Sequence, residues 1–400
     1  MGPDEREAVR IFRARLGCRG EQEDAELVRL GRGIAFAVDT LTEGTDVPPG
    51  SVPRDIAWKA VVSCTSDLAA KGVRPRYGLV SVTLPLDCTK NTVSGLAGGL
   101  AAAAKKFGFK FVGGDTGGGA ELSISVFLAG PADRIVPRGG ARSGDMIYVT
   151  GPFGYPSAGL QIIMGGASSK KGFAARAIRA QLRPEPRLEF GACAARLLTS
   201  CMDSSDGLSS TLHEMARQSG TRYTLYRLPA GAGIMGFASD NGLDGDSLVL
   251  DGGEEFELVF TAHPRNRKRI EKTARKLGVP MQEIGRVEQG RGVWLASGDG
   301  MRRIKDGGWR HLSGQSFLNP KRPCRRCPVQ KLAPASRRQK SPPKRRPSQK
   351  QVPPMQAPPR QVHPRPGRPS QRPAPSRKPE QPSQKPRRRV HPRPRRQTKS

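Results

Sequence analysis

The chain has 400 residues and a formal net charge of +33, and that charge is concentrated: residues 321–400 hold 26 Lys or Arg against one acidic residue, Glu380. The 320 residues ahead of them carry 42 basic and 34 acidic side chains, an ordinary globular balance in a length that can bury a substantial core. No stretch approaches ~18 uninterrupted apolar residues, which argues against a membrane-spanning helix, and Cys18, Cys64, Cys88, Cys193, Cys201, Cys324 and Cys327 show no disulfide-like pattern.

The pattern along the first half predicts a short amphipathic helix over 5–16, a strand over 34–39 and a helix over 55–72 capped by Asp55. A strand over 79–84, a small-residue helix over 92–107 and strands over 109–112 and 122–129 follow. The last two flank a glycine-dense loop, 113–119. A strand over 146–150 leads to a turn at Gly151, read as the boundary between two halves, 1–150 and 151–320. Beyond it, helices are expected over 157–164, 187–198, 208–218 and 265–277, with strands over 223–226, 258–261 and 292–296. Mixed helices and strands of this kind point to an α+β fold in two similar halves. From residue 321 the periodicity stops. Twenty prolines in 80 residues, with short units such as Val362-His-Pro-Arg-Pro366 recurring at 390–394, predict a disordered tail with polyproline-II character.

The charged start of the chain has no apolar segment of signal-peptide type, so a reducing, cytoplasmic compartment is expected. The tail's field suits electrostatic, sequence-independent contact with nucleic acid; it has no aromatic residue to stack on bases.

Aspartates recur at strand ends or beside glycine: Asp24, Asp39, Asp67, Asp115, Asp203 and Asp206. Each alone is an ordinary turn or helix cap. Six together suit Mg²⁺, which takes a few carboxylates along with substrate phosphate oxygens. The run Gly113-Gly-Asp-Thr-Gly-Gly-Gly119 lets backbone amides approach a phosphate, yet no Gly-Lys-Ser/Thr follows it, so it is not a Walker A loop.

The order and spacing of these motifs resemble the thiamine-monophosphate kinases, within the aminoimidazole ribonucleotide synthetase-like superfamily. The match runs through Asp39-Thr-Leu-Thr-Glu-Gly44, Ser66-Asp-Leu-Ala-Ala70, Gly113-Gly-Asp-Thr116 and Gly140-Ala-Arg-Ser-Gly-Asp145. It continues through Arg183-Pro-Glu-Pro-Arg187, the stretch from Met202 to Leu208, Gly252-Gly-Glu-Glu-Phe-Glu-Leu258 and Gly308-Trp-Arg-His311. The resemblance covers roughly residues 5–315 and implies a two-domain α+β fold, in most relatives a homodimer. It implies phosphoryl transfer from ATP to thiamine monophosphate. On it, Asp24, Asp39, Asp67, Asp115, Asp203 and Asp206 would hold Mg²⁺; Gly114, Asp115, Arg138 and Ser205 would hold ATP; Asp46, Glu254 and Trp309 would face thiamine monophosphate. Trp309 reads equally well as a half-buried core aromatic.

Several positions depart from the family pattern. Ala37 and Val38 stand where it has hydroxyl residues, Asp46 where it has a histidine, Glu23 and Glu255 where it prefers aspartate, and Gly117 where it has arginine. Two other readings therefore stay open at the level of sequence: a superfamily enzyme with another phosphate substrate, and an anion- or nucleic-acid-binding protein whose kinase half has decayed.

Overall fold

The computed structural model of the chain describes residues 5–16, 22–298, 300–310, 315–316 and 319–323. The first half comprises α1 (Glu5–Leu16), β1 (Glu26–Leu30), β2 (Arg32–Thr42), the single turn α2 (Glu43–Asp46), α3 (Pro53–Ala70), β3 (Tyr77–Pro85), α4 (Lys90–Phe107), β4 (Lys110–Gly119) and β5 (Ser123–Pro131). Its sheet runs β1-β2-β5-β3-β4, with β3 and β4 parallel and the other neighbours antiparallel. Alternation sets the faces: Ile124, Val126 and Leu128 of β5 point into the core, while Ser123, Ser125 and Phe127 point to the opposite face. The core face is covered by α3 and α4. Val38, Tyr77 and Leu79 remain exposed.

Thirteen of the 18 residues of α3 are buried, all of them between Ile56 and Ala70. A helix apolar on one stripe alone would not bury this way; α3 lies between two layers. Its first turns pack on β2, β5 and α4, and Ala69 and Ala70 join a cluster with Leu188, Phe190 and Phe260 of the second half. The crossing is close, because a Cβ at Gly191 would sit 2.0 Å from the Ala69 carbonyl oxygen.

Two expectations are corrected here. The glycine run 113–119 is no loop; it forms most of edge strand β4, in parallel register with β3, Ser81 opposite Asp115. Parallel pairing uses only the backbone, and β3 approaches so closely that a Cβ at Gly114 would lie 2.1 Å from the Val80 carbonyl oxygen. Asp55 does not cap α3: the helix starts at Pro53, whose missing N–H costs nothing in the first turn, and Asp55 pairs with Arg183 at 2.5 Å.

The second half comprises β6 (Met146–Val149), α5 (Tyr155–Ile163), α6 (Lys171–Leu182), α7 (Leu188–Ala194), β7 (Ser200–Asp203), α8 (Leu208–Ser219), β8 (Arg222–Leu225), α9 (Ile234–Asp240), α10 (Gly245–Leu250), β9 (Leu258–Ala262), α11 (Arg267–Leu277), β10 (Gln282–Glu288), β11 (Gly292–Ser297) and β12 (Gly300–Arg303). The seven-stranded sheet runs β12-β11-β8-β10-β6-β9-β7 and is covered on both faces. Ile147 and Val149 meet the core under α5 and α8, whereas Tyr148 and Phe260 stack beneath α7 and α11. α6 gave no expectation from sequence. Its buried residues are only Ala177 and Gln181, and it docks on α5 where Gly159 lets the two backbones touch.

A last hairpin pairs β13 (Gln315–Ser316) with β14 (Asn319–Pro323). The expected tail lies outside the described residues, apart from its first three, which end β14. No helix among the described residues is long and apolar enough to cross a membrane.

Candidate active site

Along α3, Lys59, Ser63 and Asp67 recur every fourth residue and so share one face, which lines a cleft of about 300 Å³. Asp24, from the segment before β1, and Asp39, on β2, reach the same cleft. So do Ser205 and Asp206, from the loop before α8, and Glu254, Phe256 and Trp309. At one end, carboxylate oxygens of Asp24, Asp67 and Asp203 lie within 4.8 Å of one another. Three separate elements meet there: the chain before β1, α3 and the end of β7.

This cluster is buried, so like charges act through little water. Burial, with Asp203, Asp39 and Asp24 close by, pushes the Asp67 carboxyl well above the usual range. Asp203 is pushed up to about 7 by burial and then by Asp24, although the Ser66 hydroxyl works against the shift. Asp24 goes the other way. Burial raises it, but Arg138 and Lys71 outweigh burial and hold it below its ordinary value. Arg138 donates to Asp24 Oδ1 from Nε at 3.0 Å and Nη2 at 2.6 Å, and Lys71 Nζ lies 2.6 Å from Oδ2. Lys71 also donates to Glu23 at 2.6 Å and to the Cys201 carbonyl at 3.2 Å. It remains charged despite complete burial, because Asp24 and Glu23 outweigh the burial that opposes its charge. The donor set is all carboxylate oxygen and carries more negative charge than its two cations offset, which fits a hard divalent ion of the Mg²⁺ kind.

The other end of the cleft is organised by a tight backbone. Glu254 and Phe256 both have left-handed φ angles, 65° and 50°, unusual for residues with side chains. The Glu254 N–H donates to the Ser205 carbonyl at 2.6 Å and the Phe256 N–H to Ser204 at 3.0 Å, which holds the two loops together. The Glu254 carboxylate takes Lys59 on one oxygen and Gln181 on the other. Burial nevertheless raises its pKa, Lys59 pulling the other way. Between them Glu255 turns inward, accepts the Gly154 N–H at 2.5 Å and is pushed well above its usual range, chiefly by burial. Trp309 also lines the cleft, and its backbone N–H donates to the Asp206 carbonyl at 2.8 Å.

The structure thus brings Asp24, Asp39, Asp46, Asp67, Arg138, Ser205, Asp206, Glu254 and Trp309 to one cleft, with Asp203 at its metal-type end. It does not bring Gly114 and Asp115 there. They lie on exposed β4, three strands from β2, roughly 14 Å away at ~4.8 Å per strand. Asp46 lines the cleft, but its Oδ2 accepts the Thr42 N–H at 2.7 Å and is tied into the α2 turn. The motif 183–187 serves the frame rather than the cleft. Arg183 lies 4.3 Å over the Trp58 ring, the Trp58 indole donates to the Pro184 carbonyl at 2.9 Å, and Arg187 forks onto Glu257 at 2.5 and 2.6 Å.

Against this geometry, two models of known families match the chain: the AIR synthase related protein N-terminal domain over residues 22–132 and the C-terminal domain over residues 142–295. The thiamine-monophosphate kinase of Nitrosopumilus maritimus is 44% identical over 309 residues, 77% of this chain and 98% of that one. The chain belongs to the thiamine-monophosphate kinase family. A solved member, AaThiL complexed with AMPPCP and TMP, superposes with a TM-score of 0.70 at 28% identity, covering 77% of this chain and 97% of its own. The Hydrogenase Maturation Protein HypE in complex with ATP shares the fold, with a TM-score of 0.57 at 22% identity over 71% of this chain and 88% of its own.

Sequence reasoning missed Lys59, Ser63 and Lys71. Their signal was present: with Asp67 they form a polar stripe at fourfold spacing along α3 and onto its C-cap. Glu255 yields a test of the buried loop. A carboxyl whose folded pKa is raised contributes stability at low pH and loses it as pH rises through that value. Glu255→Gln, which still accepts from Gly154, should therefore melt close to the wild type near about pH 4, below the ordinary carboxylate value, and about 3 °C or more above it near about pH 8, where the unfolded wild-type carboxyl is ionised. Melting curves at the two pH values check this; an equal difference at both would mean that Glu255 does not titrate upward.

Proposed function

We propose that this protein transfers the γ-phosphoryl group of ATP to thiamine monophosphate. An oxygen of the acceptor's phosphate attacks the γ-phosphorus, the bond to the bridging oxygen of the β-phosphate breaks, and ADP and thiamine diphosphate leave. The observation that carries the reading is the cleft itself. It joins an all-carboxylate cation site to an end built from Lys59, Glu254 and Trp309, in a chain 44% identical to a curated kinase over almost all of that kinase.

Asp24, Asp67 and Asp203, with Asp39 and Asp206 beside them, are the residues that would hold Mg²⁺. Bound there, Mg²⁺ supplies neutralisation of the phosphate charge, the main need of a loose phosphoryl-transfer transition state. Arg138 and Ser205 face the nucleotide's phosphates, and Gly114 and Asp115 are assigned to ATP on the motif match alone. Trp309 offers a ring for the acceptor's aromatic and cationic rings to stack on. Buried Cys64 and Cys201, their thiols pushed upward by burial, stay protonated and take no part. Free thiols accord with a cytoplasmic setting. Asp67→Asn separates metal chemistry from folding. It removes one of the mutually repelling charges, so melting without Mg²⁺ should occur at or above the wild-type temperature. ADP release should fall by on the order of 1,000-fold. Near-normal turnover would remove Asp67 from the metal site.

A homodimer suits the exposed face of the first sheet. Val38 is 64% exposed, Tyr77 58% and Leu79 44%, an apolar strip that a second copy would cover. Leu79→Asp should then shift the protein from dimer to monomer in light scattering, whereas an unchanged mass would place the contact elsewhere. The basic tail is read as an electrostatic tether to nucleic acid, separate from catalysis. A chain stopped after Pro323, the end of β14, should keep its kinase activity and lose retention on DNA, and the retention of the full chain should fall steeply with added salt. Lost activity, or binding that ignores salt, would refute the tether.

A further inference from the structure

Among the described residues lining the cleft, the cations are Arg138 and Lys59. Arg138 is committed to Asp24 at the carboxylate end. Lys59 lies two helical turns away along α3, roughly 12 Å from Asp67 at 1.5 Å per residue. It is 4% exposed, pairs with Glu254 and donates to the Asp46 carbonyl at 2.9 Å. Glu254 is placed independently, by its left-handed backbone and by Gln181. The far end of the cleft thus presents a fixed, nearly dry pair of opposite charges.

Such a pair is costly to desolvate and stabilises the fold little, if at all, over apolar residues of the same size. It is well suited to a ligand that carries both charges. Thiamine monophosphate is one, with a phosphate anion and a thiazolium cation in the same molecule. We propose, resting on the substrate reading above, that Lys59 is the residue that receives the acceptor's phosphate, and that substrate binding exchanges ion pairs. Lys59–Glu254 in the free protein becomes Lys59–phosphate and Glu254–thiazolium in the complex. Each buried charge keeps a partner before and after binding. A ligand missing either group leaves one of them unpaired, the arrangement that discriminates most strongly. The exchange also accounts for Asp46 standing where the family has a histidine: its carboxylate is turned into the α2 turn, while its backbone carbonyl helps to seat Lys59.

The test uses thiamine, which has the cation and lacks the phosphate, beside thiamine monophosphate and AMPPCP, in the full chain. The wild type must first release ADP in response to thiamine monophosphate. If it does not, the substrate reading fails and this proposal with it, before any variant is made. Lys59→Met should raise the KM for thiamine monophosphate by on the order of 100-fold. AMPPCP affinity should stay within about twofold, and inhibition by thiamine should be unchanged or tighter, because Glu254 no longer surrenders a partner. Lys59→Arg should recover most of the loss. Glu254→Gln should weaken thiamine and thiamine monophosphate together. If Lys59→Met does not fold, Lys59→Gln, which keeps a donor toward Asp46, allows the same comparison. Parallel loss of thiamine and thiamine monophosphate in the Lys59 variants would mean that Lys59 only anchors Glu254, and an unchanged KM would mean that it does not meet the phosphate. Either result overturns the proposal.

Discussion

Helix α3 is buried along most of its length, yet it carries Lys59 and Asp67 and ends at the buried C-cap Lys71. A charge in such a place must be paired or neutralised, and the ion pairs of Lys59 and Lys71 come from other segments of the chain. The rest of the molecule is arranged around that requirement. Asp24 and Glu23 come in from the segment before β1 to meet Lys71, Arg138 crosses to Asp24, and Glu254 folds back on a left-handed turn to meet Lys59. Asp67 is left facing Asp203 and Asp24 with its carboxyl pushed well upward, chiefly by burial. The cation-type site and the Lys–Glu pair are two answers to one problem, placed two turns apart on the same helix.

That helix also sets how the two halves meet. Its start is clamped by Trp58, Arg183 and the Pro184 carbonyl, and its end passes Gly191 with no room for a side chain. The cleft lies along the length between these fixed points. Motifs that looked catalytic in sequence therefore divide into two groups. The stretch 183–187 and Glu257 hold the frame, whereas Asp206 and Glu254 line the cleft and Asp203 meets Asp24 and Asp67 at its end. Phosphoryl transfer depends more on position than on covalent chemistry, so rigid clamping of the helix that carries Lys59, Ser63 and Asp67 is part of the catalytic apparatus.

Much of the fold was legible from local pattern. Helices 5–16, 92–107 and 208–218 fall within a residue or two of α1, α4 and α8, because capping residues and fourfold apolar spacing are local signals. Strand β4 was misread for the opposite reason. Seven residues that include five glycines carry no strand signal, and only the close approach of β3 makes them a strand. Helix α6 was missed although Phe173, Ala177 and Ala180 recur at helical spacing and pack toward the core; its place depends on the shape of α5.

By itself the sequence determined the α+β class, the concentration of positive charge after residue 320, and the kinase family, whose motifs are contiguous strings that need no neighbours to be read. It also named the carboxylates. Only the tertiary structure decided which of them meet, because Asp24, Asp67 and Asp203 are separated by 43 and 136 positions and brought within 4.8 Å by three elements. It decided that the Asp46 carboxylate is tied to the Thr42 N–H, that Asp115 lies on a sheet edge and that Lys59 pairs with Glu254. Charge pairing in a buried cleft depends on distance and on the absence of water, and neither is a property of residues adjacent in sequence.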